Sequence, residues 1–257
     1  MVILLSLVRR EAIFKPKETM HLPYDYNHDI MKSIYYYISV ADEQMEKYLH
    51  NEGYKVESGH RYKLFNFTLL FKGARFKEEY IKVDSNSEIT LILSGKDDVI
   101  KLILKGLVHI KQIRIQGNDI SLANIVTVKN VNFKPIMLYK ALSPIVTTTR
   151  TDDDKIISLR PYVDKYYINL ADNLKKKYKL IYGEDFSGPL YFDIDDILVI
   201  KDRSHIINGI RKIGQLYDLW VETTTKMQRV IYYLGLGENN STGAGCLSLL
   251  RAGGMDE

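Results

Sequence analysis

The sequence is poor in residues that staple, break or span. It has one cysteine, Cys246, in 257 residues. A single thiol excludes an intramolecular disulfide and any metal site built from several cysteines, and it fits a reducing cytoplasm. Cys246 stands in the apolar run Cys246-Leu-Ser-Leu-Leu250, where an inert core thiol is expected. Proline is scarce, with six residues. Together with 46% hydrophobic and 26% charged residues, that describes an ordered globule. Long hydrophobic runs are absent. Met1–Val8 holds seven apolar residues with no basic stretch before them. That is too short for a signal peptide or a membrane span, so Val2–Val8 is expected as a buried first strand. Charge of one sign is lacking too. Thirty-six Lys and Arg against 32 Asp and Glu leave +4, compatible with a polyanionic partner but no proof of one. Ligand spacing is missing around His21, His109 and His205, and Asp152-Asp153-Asp154 does not have a calcium-loop pattern. No metal or cofactor is expected.

Glycine and tyrosine are present where they matter. Four glycines fall within Gly235-Leu-Gly-Glu-Asn-Asn-Ser-Thr-Gly-Ala-Gly245. Such a run can bring backbone N–H groups close to a ligand, because glycine lacks Cβ and tolerates positive φ. No Gly-Lys-Ser/Thr follows, so it is not a P-loop. It joins a helix to a strand, so it is not a dinucleotide fingerprint. Read locally, it is a connecting turn or a phosphate contact. Nineteen tyrosines supply core packing or stacking surfaces for bases.

Periodicity gives the order of elements. After the first strand, Glu11–Tyr24 reads as a loop with Pro16 and Pro23. Ile30, Ile34 and Ile38 mark a helix from Asn27, and Ser39-Val-Ala-Asp42 resembles a capping box where a second helix begins. Tyr62–Phe71 and Ile89–Leu93 read as strands, Lys96–Leu107 as a helix, His109–Ile115 and Ile120–Lys129 as strands. That is the split βαβ pattern. It recurs with a strand in Phe133–Thr149, a helix over Tyr162–Tyr182, a hairpin of Tyr191–Lys201 and Ile206–Val221 turning about Asp202-Arg203-Ser204, a helix over Thr225–Leu234 and a last strand at Cys246–Leu250. Lys175–Lys179 reads as a solvated helix end, and Arg251–Glu257 as a frayed tail. The expected fold is α+β: two tandem ferredoxin-like (RRM-like) βαββαβ domains, residues 1–132 and 133–257.

The motifs Pro23-Tyr-Asp-Tyr-Asn-His28, Ile34-Tyr35, Tyr48-Leu49-His50, Tyr62-Lys63-Leu64-Phe65 and Leu142-Ser-Pro-Ile145, with the terminal Gly-rich loop, give a resemblance nearly end to end. In that order the chain resembles the CRISPR-associated Cas family six endoribonucleases, which cut precursor CRISPR RNA within its repeats. The resemblance implies a catalytic tyrosine at Tyr35, a histidine at His50 and a lysine at Lys63, all in the first domain. Tyr36 and Tyr37 follow Tyr35 directly, and Lys55, His60 and Arg61 lie in the loop before Lys63, so the roles can shift. The resemblance also implies RNA contacts from Gly235, Gly237, Ser241, Gly243 and Gly245, and from the hairpin residues Lys201, Arg203, Arg211 and Lys212. Its partners are CRISPR repeat RNA and, left open, other effector-complex proteins or a second copy of the chain. A cytoplasmic location without membrane contact is implied.

These residue types suit RNA cleavage without a metal. The ribose 2′-OH attacks the adjacent phosphate, which requires proton transfer and a cation for transition-state charge. Histidine titrates near neutrality and can move the proton. Lysine supplies preorganised charge, and a phenol can orient an oxygen. On one straight helix Tyr35 and His50 would stand ~22 Å apart, so the site requires the helix to break near Ser39–Asp42. The competing reading is an RNA-binding subunit of a CRISPR ribonucleoprotein with a dead site. A generic ferredoxin-like ligand-binding protein comes third.

Overall fold

The computed structural model describes residues 6–194, 200–207 and 209–253. It divides into one unit of Val8–Lys129 and a second built on Asn130–Glu257, a boundary a few residues before the expected one. No helix among the described residues is long and apolar enough to cross a membrane.

The first unit runs β1 (Leu7–Lys15), β2 (Met20–Leu22), α1 (Asn27–Ala41), α2 (Glu43–Asn51), β3 (Tyr54–Lys55), β4 (Arg61–Tyr62), β5 (Phe65–Lys72), β6 (Arg75–Phe76), β7 (Ile81–Val83), β8 (Glu88–Lys96), α3 (Asp97–Ile110), β9 (Gln112–Ile115) and β10 (Asn118–Thr127). Its main sheet has the order β5-β8-β1-β10-β9. Alternation of Phe65, Phe67 and Leu69 on β5 with Ile89, Leu91 and Leu93 on β8 turns one face inward. Ile30, Ile34, Tyr37 and Ile38 of α1 and Val99, Ile103 and Leu107 of α3 close the core over that face. The first strand is displaced from the sequence reading. It continues through Arg9-Arg10-Glu11 to Lys15, because Ala12 and Phe14 point into the core and Arg10 to Lys15 pair with β10. Residues 2–5 of the expected strand lie outside the described residues. The expected loop Glu11–Tyr24 also contains β2, which pairs with β7.

The second unit runs β11 (Ile136–Ala141), β12 (Thr148–Arg150), β13 (Ile156–Ser158), α4 (Asp164–Tyr182), β14 (Leu190–Ile194), β15 (Lys201–Ile207), β16 (Ile210–Leu216), β17 (Asp218–Thr223), α5 (Thr225–Leu234) and β18 (Leu247–Ala252). Its sheet order is β14-β17-β11-β18. Leaving out the added edge strand β9, both units repeat one plan: the second and third core strands pair, the third lies beside the first, and the fourth flanks the first on its other side. That is the tandem ferredoxin-like fold. The β15–β16 hairpin is an insertion between β14 and β17. Asp202-Arg203-Ser204 lies within β15 rather than at the turn, since Lys201 pairs with Leu216 and Ile207 with Ile210. The expected strand Tyr191–Lys201 is two elements, and residues 195–199 between them lie outside the described residues. Of the expected frayed tail, Arg251 and Ala252 belong to β18; residues 254–257 lie outside the described residues.

Candidate active site

Asp42 breaks the helix that would otherwise separate Tyr35 from His50. Its backbone is extended (φ −164°), and its carboxylate accepts the Met45 N–H at 2.9 Å, capping α2. Ser39 stays inside α1, donating to Tyr36 O at 2.8 Å, so the cap falls on Asp42 rather than Ser39. α2 then folds back. The Tyr35 and His50 rings meet edge-on, with centroids 5.5 Å apart and planes at 81°. Phe65 supports Tyr35 from the sheet at 6.2 Å. Tyr36 is exposed, while Tyr37 is buried and donates to Gln112 O at 2.7 Å. Of the three tyrosines, Tyr35 is the one beside the histidine.

Lys63 reaches the same place by a different route. The strand expected over Tyr62–Phe71 is interrupted at Leu64, whose φ is +54°. The β3–β4 ribbon turns the chain back, and Lys63 Nζ donates to Leu49 O and, at 2.9 Å, to His50 O. Arg61 donates to Asn51 O at 2.5 Å. Two cations therefore sit at the carboxyl end of α2, where unsatisfied carbonyls and the helix dipole favour positive charge. Burial, then the Arg61 charge, lowers the Lys63 pKa. Burial, then Glu46, pushes the Tyr35 phenol up to about 12, so it remains a hydrogen donor at neutral pH. His50 is exposed, with Nδ1 3.1 Å from Asn51 Oδ1. With Asn51 in this orientation its oxygen accepts, so Nδ1 donates and Nε2 faces away from this pair. Lys55 pairs with Glu52 and His60 lies beside Ser58, so neither competes for this position. Sequence reasoning passed over Tyr54 and Lys96 nearby. The Lys96 ammonium donates to Tyr54 OH at 3.0 Å and to Asp98 at 2.6 Å, and Tyr48 packs edge-on against Tyr54.

The Gly-rich connection in the second unit is packed from within. Lys177, expected on a solvated helix end, is 2% exposed. Its ammonium donates to Gly235 O (2.8 Å), Gly237 O (3.1 Å) and Asn240 Oδ1 (2.7 Å). Asn240 in turn donates to Leu236 O and Ala244 O. The helical stripe Tyr166, Leu170, Leu174 continues onto Lys177 three residues on, a signal that could have placed it inward. Of the glycines that the resemblance makes RNA contacts, three turn their amides inward. Gly235, Gly237, Gly243 and Gly245 are buried, and the N–H groups of Gly235, Gly243 and Gly245 bond to Ile231 O, Asn240 O and Pro144 O. Gly237 and Gly245 have φ of +68°, and a Cβ there would lie 2.3 Å from Val146 O and 1.9 Å from Leu236 O. These glycines are demanded by close backbone packing. Ser241 is half-buried on the loop.

Register divides the hairpin cations. Lys201, Arg203 and Lys212 share a face with His205, while Arg211 lies on the other and donates to Ser204 at 2.8 Å. The first face meets the loop: His205 Nε2 lies 3.0 Å from Thr242 Oγ1, and Lys212 lies 3.8 Å from Glu238. Burial, then Lys212, pushes His205 down to about 4. Beside the hairpin runs a groove of about 590 Å³, edged by Arg160, Arg211, Lys212 and Ile210 and reaching Asn239, whose Nδ2 is buried without a hydrogen-bond partner among the described residues.

The family model of the CRISPR-associated protein Cas6 C-terminal domain matches residues 128–249. Similarity to Cas6 proteins extends well beyond it. The chain is 28% identical over 232 residues to CRISPR-associated endoribonuclease Cas6 1 of Methanocaldococcus jannaschii, covering 87% of this chain and 85% of the other. It superposes on the structure of a Cas6-related gene product from Pyrococcus furiosus with TM-score 0.82 at 20% identity, over 95% and 99% of the two chains. A RAMP protein binding different RNA substrates gives TM-score 0.81 at 18% identity, over 95% of this chain and all of the other. The two structural likenesses bear out the fold.

Proposed function

We propose that this Cas6-like chain is an endoribonuclease that cuts CRISPR repeat RNA by 2′-OH attack, without a metal, leaving a 2′,3′-cyclic phosphate and a 5′-hydroxyl. The observation that carries the reading is the meeting of Tyr35 and His50 at 5.5 Å on the helix end held by Lys63. His50 Nε2 takes the 2′-OH proton. The Tyr35 phenol gives its proton to the leaving 5′-oxygen and recovers one from the His50 imidazolium beside it, so the 2′-OH proton is balanced by the 5′-hydroxyl formed. The Lys63 ammonium turns from the helix carbonyls to the phosphate as charge develops there. Among the described residues no group of three or more His, Cys, Asp or Glu is placed to hold a metal ion. In the second unit, Lys201, Arg203, Arg211 and Lys212 bind RNA phosphates, with Ser241 and the shape of the glycine turn guiding the strand. The curated relative's activity supports the substrate class.

The test is incubation of the protein with its repeat RNA in EDTA. Cleavage to cyclic-phosphate ends is expected, and a single 2′-deoxy substitution at the cut should block it while RNA still binds. Activity lost on chelation and restored by magnesium would refute the mechanism. One observation favours a second reading, a repeat-binding subunit without activity: both bonds seen for Lys63 are spent on helix carbonyls. Parent protein that binds repeat RNA tightly and never cuts it selects that reading.

A further inference from the structure

α1 carries a second feature on the side away from His50. β9 is the edge strand of its sheet, and α1 runs beside it, tied at two points. Gln116 N donates to the Asp29 carboxylate at 2.8 Å, and Tyr37 OH donates to Gln112 O at 2.7 Å. Between these ties the helix and the edge stand apart, leaving a cleft of about 790 Å³, within the range of ligand sites. Lys32 and Tyr36 rise from the helix, His109 comes from the end of α3, and Arg114 from β9.

The hairpin register sets what the edge offers. Gln116 and Gly117 form a two-residue turn with positive φ at both positions, so Ile115 and Asn118 flank it as a bonded pair. Alternation then turns the backbone N–H and C=O of Arg114 away from β10, toward the cleft. Tyr36 is 55% exposed. Neither its hydroxyl nor the Lys32 ammonium nor the His109 ring has a polar partner among the described residues, whereas Arg114 is held by Asp119 at 2.6 Å. The groove cations of the second unit differ: Arg160, Arg211 and Lys212 each have a partner.

We propose that this cleft is a second RNA subsite, which takes one unpaired nucleotide flanking the cut. The inference rests on the ribonuclease reading above. The base stacks on Tyr36, its edge meets the Arg114 backbone donor and acceptor, and the phosphate lies on Lys32. Tyr35 and Tyr36 are neighbours rotated about 100° around α1, so a strand leaving the cut need travel only on the order of 10 Å round the helix to reach the cleft.

The experiment uses two RNAs at fixed salt, the full repeat and the same repeat trimmed back to the cut on the side that leads to the cleft, each titrated by fluorescence anisotropy. Tyr36→Ala should weaken the full repeat by about tenfold or more, with affinity kept by Tyr36→Phe. Lys32→Ala should weaken it by a smaller factor. The trimmed RNA, which lacks the nucleotides that reach the cleft, should bind all variants alike. The exposure of both residues leaves the core intact, and melting curves verify it. If the cleft is instead an edge for a docked peptide strand, both variants bind the full repeat as the parent does, and the inference is overturned. Equal losses on both RNAs overturn it as well. A parent that binds neither RNA overturns both readings; a parent that cuts the repeat while both variants bind it normally overturns this one alone.

Discussion

Each unit uses a lysine to hold the carbonyl end of a helix, and the two do it differently. Lys63 caps α2 through Leu49 O and His50 O and is half-buried. Lys177 caps α5 through Gly235 O and Gly237 O, adds Asn240 Oδ1 and is buried. An ammonium has three N–H donors. At Lys177 all three are engaged inside a turn of buried glycines, so that lysine fixes backbone. At Lys63 two are engaged beside an exposed imidazole and a raised phenol, so charge is held close to groups that can move protons. A cation that is saturated and dry builds structure, whereas one that is half-wet and under-coordinated can be redirected to a substrate.

The largest effect should separate chemistry from binding at the first site. His50→Ala is expected to lower single-turnover cleavage by ~10²–10⁴, the usual contribution of a positioned acid–base group. Repeat affinity should change little, since phosphate contacts dominate it. Cleavage at the parent rate, read at saturating enzyme, would pass the proton to another group, with Tyr35 next.

Next comes the contrast between the lysines themselves. Lys63→Ala should cost cleavage ~10²–10³ if its charge serves the transition state, with only about 1 kcal/mol of stability lost from the cap. Lys177→Met should reverse the pattern. It leaves three acceptors buried without donors, and about 3 kcal/mol of folding stability should go, together with repeat affinity. RNA that remains bound should still be cut. Urea melts and single-turnover rates on the same two variants check both. If Lys63→Ala loses stability and keeps its rate, the two lysines are structural alike, and the inactive binding subunit becomes the better reading.

The sequence order exposed the two-unit plan and the need for a break before His50, since apolar spacing and a capping-box pattern are local signals, although the cap itself falls on Asp42 and not on Ser39. Lys177 was hidden by its neighbours. Lys175-Lys176-Lys177 looks like a solvated run, and the oxygens that hold Lys177 lie 58 to 63 residues further on. β1 was misplaced because Arg9-Arg10-Glu11 looks like a stop, although a strand can carry charge on the positions between its core residues. The hairpin register went astray because Asp202-Arg203-Ser204 has turn composition, while pairing with β16 puts the turn beyond Ile207. Lys63 could be named from resemblance, but its use as a helix cap depends on the Leu64 backbone, which no local pattern announces.

The last contrast sharpens the comparison through pH. Burial pushes the Lys177 ammonium down to about 7, with the Glu238 charge acting the other way. Unfolded, the same lysine titrates near 10.4. Between those values the unfolded chain holds one more proton than the folded one, so this group makes folding stability rise with pH. The contribution is complete above the unfolded pKa and is lost as pH falls through about 7. The limiting slope is about 1.4 kcal/mol per pH unit. Urea unfolding of the parent between pH 6 and 9 should show this rise, and Lys177→Met should remove it. The neutral amine, however, has two N–H donors for three oxygens. Repeat affinity should therefore weaken over the same interval in which stability increases. Parallel rises in affinity and stability would show that the loop does not depend on the third bond, and identical slopes in parent and Lys177→Met would place the titration elsewhere.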